Sequence, residues 1–513
     1  MRLERSKNAI RNTFYGVVNK IVSIVLPFVV RTIFIKTLGS EFLGLNSLFT
    51  SILTVLNLTE LGFSSAVVFC MYKPIAEDDT DSINALLYFY RKVYFYIGII
   101  ILVIGSLLIP FLPNLISGSY PTSINLIIVY LIYLVNTVLS YYMYAYLGAL
   151  ISAFQRDDVL SKVNIVIQTV MYTLQIITLL TLKNYYAYIA IMPIFTVINN
   201  IRTAVIAKRM FPQYKPYGKL SSQYKKVIKE KISGLIINKI CTVSRNAFDS
   251  IFISMFLGLT ATAIYNNYYY IMNSVAMIIC VFTNAVVAGV GNSVAMDRVE
   301  KNYSDMNHIN FIYMWVAGWF TTCLLCLYQP FMKIWVGSQL MYPIDCVILI
   351  CLYFYVLRMS DIRYVYELAK GLWWENRYRS IAEATSNLIL NYILGKYFGV
   401  YGIISATLIS IFFINFLYGT RIIFKYYFIG QNIKGYFVGQ AKYASVTFIV
   451  CCVTYFICNF IFEGISGFAI KIVICLILPN VLYLVIYRKT KIYKESIPWL
   501  INRFGALKKI KYF

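Results

Sequence analysis

Apolar residues run in blocks of about 20 or more along the whole chain, separated by short polar segments. Blocks of that length can cross a bilayer as helices. They predict fourteen spans, at 14–35, 42–69, 85–110, 122–150, 163–182, 185–206, 232–258, 262–290, 308–330, 343–368, 378–396, 399–420, 441–461 and 467–487. The short alternating segments that a β-barrel would show are not present. The expected fold class is all-α integral membrane, with about 14 transmembrane helices.

A faint internal repeat divides the pattern. The end of the first span reads I-F-I-K-T-L-G-S-E-F-L-G-L-N-S, and the end of the seventh reads I-F-I-S-M-F-L-G-L-T-A-T-A-I-Y-N-N. Matching Gly39 to Gly258 gives an offset of 219 residues, with Asn46 near Asn266. Six spans per half is an even number, so both halves start on the same side of the membrane. Their pseudo-two-fold axis then lies along the membrane normal. The expected organisation is a six-helix lobe at 1–206, a basic linker at 207–231, a second six-helix lobe at 232–420, two additional C-terminal helices at 421–487 and a basic tail at 488–513.

Composition agrees with this reading. The 513 residues are 60% hydrophobic and 13% charged, with mean hydropathy +0.70, against about 25% charged in soluble domains. The start, M-R-L-E-R-S-K-N-A-I-R, is basic, but the long run after it contains Lys20 and Arg31 and lacks a small-residue cleavage pattern. The first span is therefore expected to be retained as a helix.

The net charge of +25 would suggest a nucleic-acid partner if the cations were spread evenly. They are not. With the N-terminus inside, 31 of the 46 Lys and Arg fall on the inner side and four (Lys36, Lys183, Lys333, Lys396) on the outer. That bias predicts both termini on the cytoplasmic side. It also assigns the basic 207–231 segment to anionic membrane lipid rather than to nucleic acid.

The 11 cysteines lie mostly inside apolar runs. Cys323 and Cys326 form a C-x-x-C, and Cys451 and Cys452 are adjacent, but no His or second pair stands near either. Small apolar packing is the expectation, with no metal site. The single His308 gives His-based chemistry little material, and no P-loop, H-E-x-x-H or G-x-S-x-G occurs. The chain is read as no enzyme, with no cofactor. Transport would draw on an ion gradient, the membrane potential or the substrate gradient.

The candidate chemistry lies in the charges inside spans. Lys20 and Arg31 share one face of the first span. Glu60 is the one carboxylate of the apolar run from Phe42 to Met71 beyond its boundary residue Glu41, with Asn57 on the same side. Span 7 carries Lys239, Arg245 and Asp249, and span 10 carries Arg358, Asp361, Arg363 and Glu367. Some cations near span ends can snorkel, and the close pairs can neutralise locally. Against that stands a water-filled cavity. The six cations outnumber Glu60, Asp249, Asp361 and Glu367, which suits an anionic substrate such as a phosphate. Asn57, Asn266 and Asn267 are its candidate polar wall. Glu60, Asp249 and Asp361 are candidates for cavity acids or ion coupling. The 46 tyrosines read mainly as an interfacial belt, with sugar stacking open to a few.

The block from Leu38 to Asp79, L-G-x-x-F-L-G-L-N-S-L-F-T-S-I-L-T-V-L-N-L-T-E-L-G-F-S-S-A-V-V-F-C-M-Y-K-P-I-A-E-D-D, resembles the start of bacterial polysaccharide flippases of the Wzx type. D-S-I-F-I-S-M-F-L-G-L-T-A-T-A-I-Y-N-N-Y, from Asp249 to Tyr268, resembles their second-half signature. These proteins belong to the multidrug/oligosaccharidyl-lipid/polysaccharide exporter (MOP) superfamily. The resemblance implies a two-lobed V-shaped bundle in the cytoplasmic membrane, working by alternating access around a cationic central cavity. It also implies a substrate, an undecaprenyl-pyrophosphate-linked oligosaccharide bound for cell-surface polysaccharide. Coupling to Na+ or H+ and contacts with polysaccharide polymerase machinery come with it as expected partners. The alternatives are a cation-coupled multidrug exporter of the same superfamily, whose cavity should be acidic or aromatic, and a membrane glycan polymerase, for which the outer turns are too short.

Overall fold

The computed structural model describes residues 5–57, 63–118, 120–220 and 222–503. Every regular element among them is helical. In chain order they are α1 (Arg5–Leu38), α2 (Ser40–Leu56), α3 (Phe63–Ala76), α4 (Thr80–Leu107), α5 (Leu126–Tyr141), α6 (Leu147–Ala153), α7 (Asp157–Thr181), α8 (Tyr185–Met210) and α9 (Ser222–Met296). Then follow α10 (Val299–Trp335), α11 (Ile344–Arg358), α12 (Asp361–Lys370), α13 (Arg377–Ser410), a π-helical turn (Ile411–Tyr418), α14 (Gly419–Tyr426), α15 (Ile433–Asn459), α16 (Ile465–Tyr487) and α17 (Lys491–Arg503).

Among the described residues, nine helical segments are long and apolar enough to cross a membrane, and three more are apolar but shorter. Two of the nine, Ala247–Met296 and Arg377–Tyr426, run 50 residues each. Each contains a glycine that leaves the helical region, Gly258 and Gly399. Each is therefore two spans joined by a tight turn. The pairs α2–α3, α5–α6 and α11–α12 each overlap one expected span, so the described helices follow the fourteen-span pattern. The chain is a multi-pass membrane protein.

The repeat is visible in the backbone. Gly39 has φ 92° and ψ 178°, and Gly258, 219 positions on, has φ 84° and ψ −177°. Gly118 and Gly337 keep the same offset, with φ 80° and 81°. A side chain would strain all four, which explains glycine at matched turns. The offset also carries Tyr141, the last residue of α5, onto Ser360, the residue before α12. One helix is therefore interrupted at the same point in each repeat.

The chain divides into two compact units, Met1–Asn266 and Asn267–Phe513. In the first, the part of α9 around Gly258 packs on the turns beside it. Ser117 N donates to Ser254 O at 2.9 Å. Gly44 of α2 lies so close to Leu259 that an added Cβ would sit 2.0 Å from its carbonyl oxygen. Small residues allow such helix crossings where lipid gives no hydrophobic drive.

Tyrosines hold both cores and are not confined to an interfacial belt. Tyr133 donates to Asn46 and lies 3.2 Å from the Tyr185 hydroxyl, while Phe34 meets the Tyr188 ring edge-on at 5.0 Å. In the second unit, Tyr268 donates to Gln329 at 2.9 Å, and Tyr328 donates back to the Tyr268 carbonyl at 3.0 Å. A buried phenol brings apolar area and one hydroxyl that finds a partner across helices.

Candidate functional site

Helix breaks position the polar groups. In the first unit α2 ends at Leu56, with Asn57 as its C-cap. The Asn57 Oδ1 accepts the Tyr141 hydroxyl at 3.1 Å, at the point where α5 ends. Glu60 lies outside the described residues, so its pairing with Asn57 is not described. On α1, Lys20 is exposed and Arg31 is half-buried, within electrostatic reach of Tyr188. The Lys239 side chain also lies outside the described set.

Further along, Arg245 and Asp249 are 4% and 1% exposed. Asp249 Oδ2 accepts the Tyr265 hydroxyl at 3.0 Å. Asn266 Nδ2 donates to Ser250 Oγ at 3.1 Å and to the Thr262 carbonyl at 2.9 Å, which ties the two legs of the Gly258 turn together. Asn267 opens the second unit and is buried.

The second unit holds the span-10 charges. Its helix breaks at Met359–Ser360, between α11 and α12. Across the break Arg358 Nη1 meets Asp361 Oδ2 at 2.8 Å. The same carboxylate oxygen accepts the Tyr313 hydroxyl from α10. Arg358 also lies 5.7 Å from the Phe354 ring centroid. Asp249 and Asp361 thus share an arrangement: each follows an arginine by about one turn and accepts a tyrosine hydroxyl, Tyr265 from the other leg of the Gly258 turn and Tyr313 from α10.

Arg363 differs from the other cations. It pairs with Glu367, and its Nη2 donates to the Asn415 carbonyl and Oδ1 at 3.0 Å each. Asn415 Nδ2 donates to Glu383 at 2.9 Å, which pairs with Arg379 at 3.1 Å. Arg379 Nε reaches Asn376 Oδ1 at 3.0 Å, and Asn376 Nδ2 closes the ring on Glu367 at 3.3 Å. The ring holds two arginines and two glutamates, is charge-balanced, and leaves Arg363 only 1% exposed. The expectation for Arg363 was an open cationic contact to substrate; here protein surrounds it on every side. Asn415 sits on the π-helical turn, an irregularity with no sequence signal.

The cysteines also gain a partner set that their spacing hides. Cys326, Cys458 and Cys475, from three helices, bring their sulfurs within 4.8 Å of one another, packed with Leu327, Tyr455 and Ile474.

Helices with matched glycine turns and matched broken helices, 219 residues apart, define the fold of the described residues. Solved structures share it. A lipid II flippase MurJ in an inward closed conformation is 17% identical, aligns over 93% of this chain and 99% of its own, and gives TM-score 0.66. A MATE transporter in a bent conformation gives 0.54 at 11% identity, over 87% and 97% of the two chains. A MOP superfamily transporter from Pyrococcus furiosus, described by the reversed polarity of its binding pocket, gives 0.52 at 12% identity, over 82% and 96%. A comparison with curated protein sequences finds no match. The family model for polysaccharide biosynthesis proteins matches residues 9–288, more than half of the chain. The chain belongs to that family.

Proposed function

We propose that this protein flips undecaprenyl-pyrophosphate-linked oligosaccharide repeat units across the bacterial cytoplasmic membrane by alternating access, for cell-surface polysaccharide. The observation that carries the reading is membership of the polysaccharide biosynthesis family over residues 9–288. The fold shared with a lipid II flippase supports it. In this reading Lys20, Arg31, Arg245 and Arg358 attract the pyrophosphate, since guanidinium groups fit phosphate oxygens in pairs. Asp249 and Asp361 keep two of the arginines oriented between substrates. The positive-inside bias supports both termini in the cytoplasm.

Deleting the gene tests this. Lipid-linked repeat units should accumulate in the inner leaflet, and wild type should clear them. Arg245→Ala and Arg31→Ala should not. Full rescue by both variants would count against cationic substrate contacts.

The MATE neighbours favour one second reading, a cation-coupled exporter. There Glu60, Asp249 or Asp361 would bind Na+ or H+. Glu60→Gln and Asp249→Asn should then uncouple transport from the ion gradient. Drug efflux without any glycan defect on deletion would support this reading over the first.

A further inference from the structure

Arg91 and Lys92 are span-embedded cations that the sequence pattern leaves without a role. In the structure they line a crevice of about 660 Å³ between α4 and the break joining α5 to α6. The aromatic wall is built into the fold. Gly98 of α4 lets the Tyr142 ring lie directly on the helix, where an added Cβ would come within 2.5 Å of it. Phe95 stacks on Tyr142 with centroids 5.5 Å apart and planes at 29°. Met143 and Tyr144, the next two residues, take φ 53° and 72°. Left-handed backbone at two successive residues that are not glycine is costly and gathers at ligand-holding sites. It turns Tyr144 outward, and Lys208, in the last turn of α8, lies 4.6 Å over its ring.

The charge in this crevice is of one sign. Its lining includes Arg91 and Lys92 and no carboxylate. Both cations are exposed, and no described carboxylate pairs with either or with Lys208. The crevice also sits where α4 changes character. The helix opens polar with T-D-S-I-N, continues through the largely buried A-L-L-Y-F-Y to Arg91 and Lys92, and after Tyr96 runs I-G-I-I-I-L-V-I-G-S-L. On that later stretch Ile100, Leu102, Val103 and Ile104 are all more than 40% exposed, an apolar face that suits acyl chains. Cations and tyrosines at the top of an apolar, lipid-facing stripe match the layout of a lipid: phosphate at the interface, chains below.

We propose that this crevice binds the phosphodiester of an anionic glycerophospholipid, with Arg91 and Lys92 on the phosphate, Tyr142 and Tyr144 beside the headgroup, and the acyl chains along α4. The site is separate from the transport reading and does not depend on it.

Native mass spectrometry of the full chain, released from nanodiscs of mixed phosphatidylglycerol and phosphatidylcholine with identical acyl chains, tests the site. Wild type should retain phosphatidylglycerol in preference to phosphatidylcholine. The double variant Arg91→Gln, Lys92→Gln should hold it about thirtyfold more weakly, the loss of two interfacial cations. Lys183→Gln, in the α7–α8 turn, should behave as wild type. Should the double variant prove unstable, the charge-preserving exchange Arg91→Lys, Lys92→Arg should keep retention, while Tyr142→Ala should lower it. Equal retention of both lipids, or unchanged retention in the variants, would overturn the proposal. So would displacement of the lipid by inorganic phosphate, which would make the ligand a free anion. Displacement by undecaprenyl pyrophosphate at sub-stoichiometric levels would instead assign the crevice to the isoprenoid carrier and likewise overturn it.

Discussion

Arg358 and Arg363 stand five residues apart and are held differently. Arg363 is built into a six-residue ring whose charges cancel. Removing one member exposes the desolvation cost of the rest, so Glu383→Ala should lower stability by about 3–5 kcal/mol, seen as a fall in the thermal unfolding midpoint in detergent. Replacing Arg379 and Glu383 together with Met and Leu should cost far less than the single change, because no buried charge is then left alone. Among the described residues Arg358 pairs with the Asp361 carboxylate, which is shared with Tyr313. Arg358→Lys should keep the charge while losing the paired geometry that a fork-shaped guanidinium provides. Transport should fall at least several-fold in Arg358→Lys with a smaller change in unfolding midpoint than in Glu383→Ala. Both effects are read on the same purified variants. The sequence listed Arg363–Glu367 and Arg358–Asp361 alike as helical neighbours, and spacing alone could not separate them. What distinguishes them is Asn415, 52 residues beyond Arg363, on a turn of π-helix inside an unbroken apolar run.

At the scale of elements, the sequence located the helices well and their interruptions poorly. Runs of about 20 apolar residues carry a strong length signal. A break inside such a run carries none unless Gly or Pro marks it, and Tyr141–Tyr146 and Arg358–Ser360 contain neither. Gly39 and Gly258 were the exception, because each stood in a recognisable repeat. The tail was legible as basic but not as structured. It contains α17, which docks on α10: Trp499 Nε1 and Arg503 Nη1 donate to the two oxygens of Asp305 at 2.7 and 2.9 Å. Ser496 Oγ lies 2.9 Å from His308 Nδ1. Because Asp305 takes both donors, Asp305→Ala should release α17. Hydrogen exchange at 491–503 should rise strongly in that variant while α15 and α16 keep their protection. Equal protection would show that apolar contacts through Trp499 and Leu500 hold the helix without the carboxylate.

For the whole molecule, the class of protein was readable early. Hydropathy pointed to a multi-pass membrane protein and the block from Leu38 to Asp79 resembled polysaccharide flippases; the match to the polysaccharide biosynthesis family and the helical fold agree with the family and the membrane class. The substrate is a finer matter. Charge counting along spans suggested a cationic cavity, yet two of the arginines available to it meet carboxylates at close range or lie within a neutral ring. The net sign along the spans therefore depends on which charges are paired, a property of side-chain geometry that no linear count contains.

The central claim is lipid-linked oligosaccharide flipping, and reconstitution tests it most directly. The purified protein is placed in proteoliposomes with undecaprenyl-pyrophosphate-linked oligosaccharide in one leaflet, and the glycan reaching the other is followed by its accessibility to a glycan-cleaving enzyme that cannot cross the bilayer. The account predicts protein-dependent exposure of the glycan, strongly reduced in Arg245→Ala. Exposure no faster than in protein-free vesicles, across imposed Na+, H+ and electrical gradients, would contradict it.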